Sequence, residues 1–364
     1  MKQPKNILEV YYEPAFSGIT RHVGSFVKRL SKENYKFHVV CATEDEQIER
    51  YFQDMGIDIH IAPPDRFFAF LGMVKVIQLI YKFKIDIVHV HNLQSIFWGH
   101  LPRLFALRTK FFFTPHVINF ENKYLEKAFF IVWKAFALLA DKIIVLSPAQ
   151  KSALVKKGVK REGGIIVIPN SIPSEEIAAA EKGDIMAQSL DTLCILSVLR
   201  LVSQKAPLRL IDVAEIVCRQ NFDAHFYIVG DGPMMGDMER AIAQKGLRES
   251  VRLLGFRKDA LNLIAQADIL LSTAQWEGLP YTLLEGMALA KPIVASAIDG
   301  HEFLVKNGVT GYLSHSTEAL AGSILLLLKN ESKRREMGRM AHQRYMAEFS
   351  FESFIAKMRG LYDI

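Results

Sequence analysis

The stretch "ADILLSTAQWEGLPYTLLEGMALAKPIVASAIDG", residues 267–300, carries the pattern from which the fold is read. It opens with "ADILLSTAQ", a short apolar run of the kind that forms a buried strand. The run breaks at Glu277-Gly278-Leu279-Pro280, where a glycine and a proline interrupt it. A helical period starts near Tyr281, and a second apolar run, Pro292–Ser296, follows it. Strand, loop, helix and strand in about thirty residues make a βαβ unit, whose two strands are parallel. In such a unit the loop amides and the positive end of the helix dipole meet just outside the carboxyl edge of the sheet, which suits a diphosphate. Glu277 falls in the loop and Glu285 one turn into the helix, so both carboxylates can face one site and accept bonds from sugar hydroxyls. Read alone, the pair equally suits a helix-surface glutamate and a favourable charge near a helix N-terminus.

The same alternation runs through the rest of the chain. Ile7–Tyr12, Phe37–Ala42, Ile85–His91, Thr109–Thr114 and Lys142–Leu146 read as strands, and Thr20–Leu30, Met73–Phe83 and Lys123–Leu139 have helical period between them. The alternation resumes at Leu193–Val198, Ala224–Val229, Val251–Leu254, Ile269–Ser272 and Pro292–Ser296. That is too many strands for one doubly wound sheet of ordinary size, so the sequence predicts two Rossmann-like α/β domains. The joint falls near Ile168-Pro169-Asn170-Ser171-Ile172-Pro173, where two prolines and an Asn-Ser pair break the pattern. The predicted division is 1–172 and 173–345, with a C-terminal helix from about 346 to 364 packing back on the first domain. Ser174–Gln188, polar and alanine-rich, reads as exposed linker or helix.

Composition agrees with a two-core globular chain: half of the 364 residues are hydrophobic and 23% are charged. Cys41, Cys194 and Cys218 are scattered through apolar runs with no CxxC spacing. They read as buried thiols in a reducing compartment, not as a disulfide framework or a zinc site. No secretory signal is read at the start, and the most apolar window, Tyr124–Ala140, carries Glu126, Lys127 and Lys134 and fails as a membrane span. The expected location is the cytoplasm. Residues 1–172 hold 24 Lys+Arg against 15 Asp+Glu, while the remainder holds 21 against 24. A basic first half predicts an anionic partner. The basic residues are interleaved with acids and form no long run, so nucleic acid is not the expected one.

Further groups gather at predicted strand ends. In "ILSVLRLVSQKAP", residues 195–207, Arg200 leaves a strand and Lys205 follows five residues later, two cations that can neutralise a diphosphate or simply be solvated. "FYIVGDGP", Phe226–Pro233, has two turn glycines but Met235 where a dinucleotide fingerprint needs its last glycine, so alone it reads as a plain connection. Ser17-Gly18 separates the first strand from a helix beginning near Thr20, and Gly18 would admit a phosphate close to the backbone. His89 and His91 alternate on a strand and share a face, with Asn92 beyond them and His116 just past the next strand. No acidic third ligand lies nearby in sequence, so polar strand-end residues are a better reading than a metal site.

Taken together, these pieces resemble glycosyltransferase family 4, also called glycosyltransferase group 1, from the first strand to about Leu313. The most specific match is "EGLPYTLLEGMALAKPIVAS", Glu277–Ser296, with its two glutamates eight positions apart. Arg200 with Lys205, "VGDGP", "VIPNS" and "HEFLVKNGVTGYL" support it in the expected order. The resemblance implies a GT-B fold, two Rossmann-like doubly wound domains facing a central cleft, with acceptor on the first and a nucleotide-sugar donor on the second. It implies that Arg200 and Lys205 contact the donor diphosphate and that Glu285 holds the ribose hydroxyls. It places Glu277, with the backbone of Leu279, Pro280 and Tyr281, at the donor sugar and phosphate. Gly18 would lie beside the diphosphate, Phe256 at the nucleobase edge and His116 near the reacting carbon, which makes His116 and Glu277 the catalytic candidates. Ser17, Leu199, Ala206 and Asp299 stand where the family commonly has glycine.

The implied activity is retaining hexosyl transfer from a nucleotide-sugar, with a UDP-sugar as the expected donor. The expected acceptor is a saccharide, above all a polyprenyl-diphosphate-linked one in assembly of a lipopolysaccharide or exopolysaccharide. No cofactor and no metal are expected, since two cations and a helix dipole fill that role and no DxD stands at a suitable strand end. A nucleotide-sugar epimerase or a non-catalytic relative on the same fold are the alternatives; loss of Arg200, Lys205, Glu277 or Glu285 would have favoured the latter. Arg66–Lys84, with Lys75, Lys82 and Lys84 among Phe, Leu and Ile, reads either as a basic amphipathic face for an anionic membrane or as core with a solvated rim. The first reading puts the enzyme peripherally on the inner face of the plasma membrane.

Overall fold

The computed structural model describes residues 3–62, 69–116, 133–180, 193–220 and 224–364. The chain forms two compact units, Met1–Asn170 with Glu352–Ile364, and Ser171–Phe351. The first contains β1 (Lys5–Tyr12), β2 (Tyr35–Ala42), β3 (Asp58–Ala62), β4 (Ile87–His91), β5 (Lys110–Thr114), β6 (Lys142–Val145) and β7 (Ile165–Val167). They form one parallel sheet in the order β3-β2-β1-β4-β5-β6-β7. The second contains β8 (Leu193–Val198), β9 (Ala224–Val229), β10 (Val251–Gly255), β11 (Ile269–Ser272), β12 (Ile293–Ser296) and β13 (Gly311–Ser314), parallel in the order β10-β9-β8-β11-β12-β13. Each sheet reverses its direction of growth beside its first strand, between β1 and β4 and between β8 and β11. Doubly wound sheets bind ligands outside the carboxyl ends at such switch points.

The strands that periodicity does not reveal are β3, β7 and β13. All three are edge strands. They are short and mostly half-buried or exposed, so they lack the apolar run that marks a strand covered on both faces. The central strands are the opposite case: in β1 Ile7, Leu8, Val10 and Tyr11 are fully buried. The helix after β1 runs Gly18–Leu30, two residues earlier than its period suggests, because Ser17 caps it by accepting a bond from the Ile19 amide at 3.1 Å. The next long helix spans Ala69–Phe83 and stops where Lys84 turns left-handed at φ 51°. Of the helical pattern Lys123–Leu139, residues 133–139 are helical and the remainder lies outside the described residues.

The C-terminal helix is Phe351–Tyr362, not a continuous element from about 346, because a π-helical turn, Tyr345–Phe349, and Ser350 precede it. Within the first unit this helix buries Phe354, Ile355, Met358, Leu361 and Tyr362. Arg359 grips Glu33 with two bonds of 2.8 and 2.6 Å, and Lys5 Nζ donates to the Tyr362 carbonyl at 2.8 Å. No helix among the described residues is long and apolar enough to cross a membrane.

Candidate functional site

In the second unit the loops after β8 and β11 converge. After β8 the chain passes Leu199 and the exposed Arg200, makes a single 3₁₀ turn at Ser203–Lys205, and enters the helix Pro207–Cys218 through Ala206. Thr273, just past β11, locks that turn by donating its hydroxyl to the carbonyls of Lys205 and Ala206 at 3.2 and 3.0 Å. Gln204 ties the two loops again, accepting from the Gln275 amide at 2.9 Å and donating to the Trp276 carbonyl at 2.9 Å. These bonds bring the Lys205 ammonium onto the Glu277 carboxylate, a pair only 19% and 11% exposed. A small pocket opens beside it, lined by Val198, Leu199, Ser272, Pro280 and Thr282.

The helix Tyr281–Ala288 points its N-terminus at this pocket, and Thr282 fixes it there by donating to the Val198 carbonyl at 3.2 Å. Pro280 occupies the cap position with extended backbone and makes no side-chain cap bond. Leu279 and Glu285 are buried, while Pro280 and Tyr281 are half-buried. Gly286 lets the helix lie directly on the sheet, since a Cβ there would sit 2.2 Å from a Leu270 methyl. The arrangement sets Lys205, Glu277 and a helix N-terminus at one sheet edge, with exposed Arg200 on the loop that leaves β8, a combination chemically matched to a diphosphate.

The turn in "VGDGP" does more than connect β9 to a helix. Gly230 and Gly232 lie so close to the Arg200 loop that a Cβ would meet the Leu199 carbonyl at 1.8 Å and the Leu201 carbonyl at 2.6 Å. Leu199 and Leu201 donate their amides to Val229 and Asp231, each at 2.9 Å. The glycines are thus the rail along which the Arg200 segment runs. At the end of β10 Gly255 is left-handed at φ 65°, and Phe256 beyond it is 68% exposed.

In the first unit Gly18 is the exposed first residue of its helix, and the remaining candidates form a buried chain of polar groups. Glu9 stands in the middle of β1, in register with His89 of β4. Its Oε2 meets His91 Nε2 at 2.7 Å and its Oε1 accepts from the Tyr362 hydroxyl at 2.8 Å. His91 Nδ1 meets His116 Nε2 at 3.1 Å. His89 bridges the Tyr362 hydroxyl at 2.9 Å and the Thr114 hydroxyl at 2.8 Å. His22 closes the group, its ring centroid 5.1 Å from that of His116. His116 follows Pro115 with left-handed backbone, φ 58°, and Gln150 holds its carbonyl with a 3.1 Å bond. A histidine in that conformation is uncommon and is retained where the surroundings determine it.

Burial pushes Glu9 up to about 7 and holds His91 down at about 3, with His22, His89 and His116 also well below the usual imidazole range. The histidines are therefore neutral near pH 7, and their contacts with Glu9, Tyr362, Thr114 and one another are hydrogen bonds of neutral imidazoles rather than ion pairs. The ligand atoms of His22, His91 and His116, and of Glu9, His89 and His91, lie within 4.8 Å of one another, so either trio has the spacing of metal ligands. His91, shared by both trios, already has one nitrogen bonded to Glu9 and the other to His116. The sequence pairs His89 with His91 but gives no hint of Tyr362, more than 270 residues away. Glu9 had a visible signal: an acid inside an otherwise apolar central strand must have a partner.

The family model of the glycosyl transferases group 1 matches residues 184–344, and that of glycosyltransferase family 4 matches residues 16–176. The chain belongs to this glycosyltransferase family. The Escherichia coli UDP-Gal:alpha-D-GlcNAc-diphosphoundecaprenol alpha-1,3-galactosyltransferase is 28% identical over 323 residues, covering 84% of this chain and 83% of that protein. An uncharacterized glycosyltransferase of Methanocaldococcus jannaschii is 26% identical across 99% of this chain and 98% of its own length. Among solved structures, Anabaena Alr3699/HepE in complex with UDP and glucose superposes with a TM-score of 0.83 at 19% identity, covering 99% of each chain. The two parallel-sheet α/β units are thus the paired Rossmann-like domains of a GT-B glycosyltransferase.

Against the family pattern, the four missing glycines have separate physical readings. Ser17 supplies a helix cap that glycine cannot. Leu199 is not among the residues with positive φ, so it needs no glycine. Asp299 is exposed, and the close approach falls on Gly300, where a Cβ would lie 2.7 Å from the Gly278 carbonyl oxygen. Of these four positions in the glycosyltransferase, Ala206 alone occupies a conformation that favours glycine, at φ 45° and ψ 55°.

Proposed function

We propose that this enzyme transfers a sugar, with retention at the anomeric carbon, from a UDP-sugar to a lipid-linked saccharide during assembly of a cell-surface polysaccharide. The observation that carries the reading is the meeting of Lys205, Glu277 and the N-terminus of Tyr281–Ala288 at one sheet edge, beside exposed Arg200. In this reading the bond from the sugar C1 to the diphosphate stretches to an oxocarbenium-like state. Charge growing on the leaving diphosphate meets Arg200, Lys205 and the helix N-terminus. The acceptor oxygen bonds to C1 on the same face, and its proton passes to a departing phosphate oxygen. Nucleoside diphosphate leaves, and no metal is needed because cations of the chain neutralise it. Glu285 takes the ribose hydroxyls, Glu277 and the Leu279–Tyr281 backbone the donor sugar and phosphate, and Phe256 the nucleobase edge. Gly18 and His116 are the first unit's contribution, at the diphosphate and the transferred sugar.

The name of the Escherichia coli relative, with UDP-Gal as donor and a diphosphoundecaprenol-linked sugar as acceptor, supports both halves of the proposal. A lipid-linked acceptor calls for a membrane-facing surface. Phe70, Leu71, Tyr81, Leu104, Phe105 and Leu107 are all exposed in the first unit. The Tyr81 hydroxyl joins the two segments by donating to the Phe105 carbonyl at 2.7 Å. Exposed Lys82, Lys84 and Arg108 flank them, which suits peripheral attachment to an anionic inner leaflet. The test supplies UDP-sugars one at a time with a polyprenyl-diphosphate-linked saccharide and reads the product anomer by NMR. The α-linkage from an α-donor is expected. A β-linked product rejects retention, and turnover of donor without acceptor in the product rejects transfer.

A further inference from the structure

The hydrogen bonds inside the first unit can be assigned donor by donor when Glu9 is ionised, and only one assignment works. The carboxylate accepts at both oxygens, from the Tyr362 hydroxyl and from His91 Nε2–H. Tyr362, having donated its proton, accepts from His89 Nδ1–H, which leaves His89 Nε2 to accept from the Thr114 hydroxyl. His91, protonated on Nε2, has only a lone pair on Nδ1, so the 3.1 Å contact must be donated by His116 Nε2–H. His116 then carries a bare lone pair on Nδ1, which has no partner among the described residues. With a proton added to Glu9 and shared with His91, the chain inverts. Glu9 donates to His91 Nε2, His91 Nδ1–H donates to His116 Nε2, and His116 holds its own proton on Nδ1. Between the two states one proton enters at His116 Nδ1, one moves from His116 Nε2 to His91 Nδ1, and one moves from His91 Nε2 to Glu9. Atoms and charge balance, and no buried imidazolium forms.

We propose that Glu9 is a positioning residue that sets, through His91, which ring nitrogen of His116 carries the proton, and so whether that ring offers an acceptor or a donor at Nδ1. The logic is that of a carboxylate orienting an imidazole, extended by one ring. The groups facing this line are few. His89 and His91 from β4 and Tyr362 from the C-terminal helix face Glu9, while β2 offers Val39 in register beside it. His22, from Gly18–Leu30, faces His91 and His116. Burial places the Glu9 titration near neutral pH, so both states are populated there. The consequence for transfer rests on the proposed place of His116 at the sugar: a hydroxyl of the sugar would meet an acceptor above the Glu9 midpoint and a donor below it.

The experiment uses the full chain labelled with ¹⁵N-histidine and no ligand. Long-range ¹H–¹⁵N correlation reads the tautomer of each ring, with His116 assigned by loss of its signals in His116→Gln. The expected result is His116 protonated on Nε2 at pH 8.5 and on Nδ1 at pH 5.5. Glu9→Gln abolishes the change, and Tyr362→Phe, which takes a donor from the carboxylate, moves its midpoint upward. The same His116 tautomer at both pH values in the wild type overturns the proposal, as does a change that survives Glu9→Gln. A metal bound to His91 and His116, detected by elemental analysis of the purified protein, also overturns it. Steady-state transfer with Glu9→Gln is read separately. A tautomer switch in the spectra, with kcat and its pH profile unchanged in that variant, keeps the Glu9 assignment and removes His116 from the reacting sugar.

Discussion

Replacing Lys205 by methionine keeps the stem and removes the ammonium that Glu277 pairs with. The two side chains are 19% and 11% exposed, between the exposed and fully buried extremes. Breaking an exposed pair costs about 0–1 kcal/mol and stranding a buried charge about 3–5, so a loss of about 2 kcal/mol is expected for Lys205→Met. In a domain of about 150–250 residues each kcal/mol shifts Tm by about 2–4 °C, which gives a fall of roughly 4–8 °C. The effect on transfer is larger. A charge-assisted contact to the leaving diphosphate is worth about 1.5–3 kcal/mol, or about a 10- to 150-fold loss in kcat/KM. Adding Glu277→Gln removes the stranded carboxylate, so the double variant recovers most of the Tm but none of the rate. Scanning calorimetry and steady-state kinetics with the preferred UDP-sugar make the comparison. A Lys205→Met enzyme with unchanged Tm and kcat/KM within about threefold of wild type would refute both halves of the reasoning.

Gly230→Ala is expected to destabilise the second unit by several kcal/mol and weaken donor binding, because its Cβ would lie 1.8 Å from the Leu199 carbonyl oxygen; a variant that melts with the wild type contradicts this. Ala206→Gly relieves a left-handed alanine worth about 1–2 kcal/mol and loses about 0.4–1 to chain entropy, so a net gain of about 0.5–1 kcal/mol is expected in urea unfolding. Acid should destabilise the fold. Burial holds His91 and His100 at about 3 and His301 at about 4 against 6.5 unfolded. The unfolded chain therefore binds more protons from about pH 6.5 downward, costing up to about 1.4 kcal/mol per unit and group. Glu9, at about 7 against 4.5, opposes this between those values, but it is one group against several. A Tm that stays level or rises from pH 6.5 to 5 would count against the buried neutral histidines. Phe105→Glu with Leu107→Glu should abolish sedimentation with anionic vesicles; wild-type binding to neutral vesicles as well, or to neither kind, rejects the charge-based attachment.

Much of this architecture can be read from the chain because the central strands of parallel sheets are buried on both faces. Runs such as Ile7–Tyr12 and Leu193–Val198 need no alternation to stand out. The edges β3, β7 and β13 escape for the converse reason, since one face or one neighbour is missing and no apolar run is required. The donor-side residues are legible because they cluster in local motifs, each within a few residues of a strand end. What local reading misses is closure at a distance. The role of Gly230 and Gly232 lies in the carbonyls of Leu199 and Leu201, about thirty residues earlier in the chain. Tyr362 reaches Glu9 only because the last helix returns to the first unit. The π-helical turn before that helix has no sequence mark, since its residues keep a helical period.

The most direct test of nucleotide-sugar binding in the second unit is thermal shift with a panel of UDP-, GDP- and ADP-sugars, run on wild type, Glu285→Ala and Lys205→Ala. The account predicts a rise in Tm specific to UDP-sugars that both variants lose. No rise with any nucleotide, or a rise that persists in both variants, would contradict it.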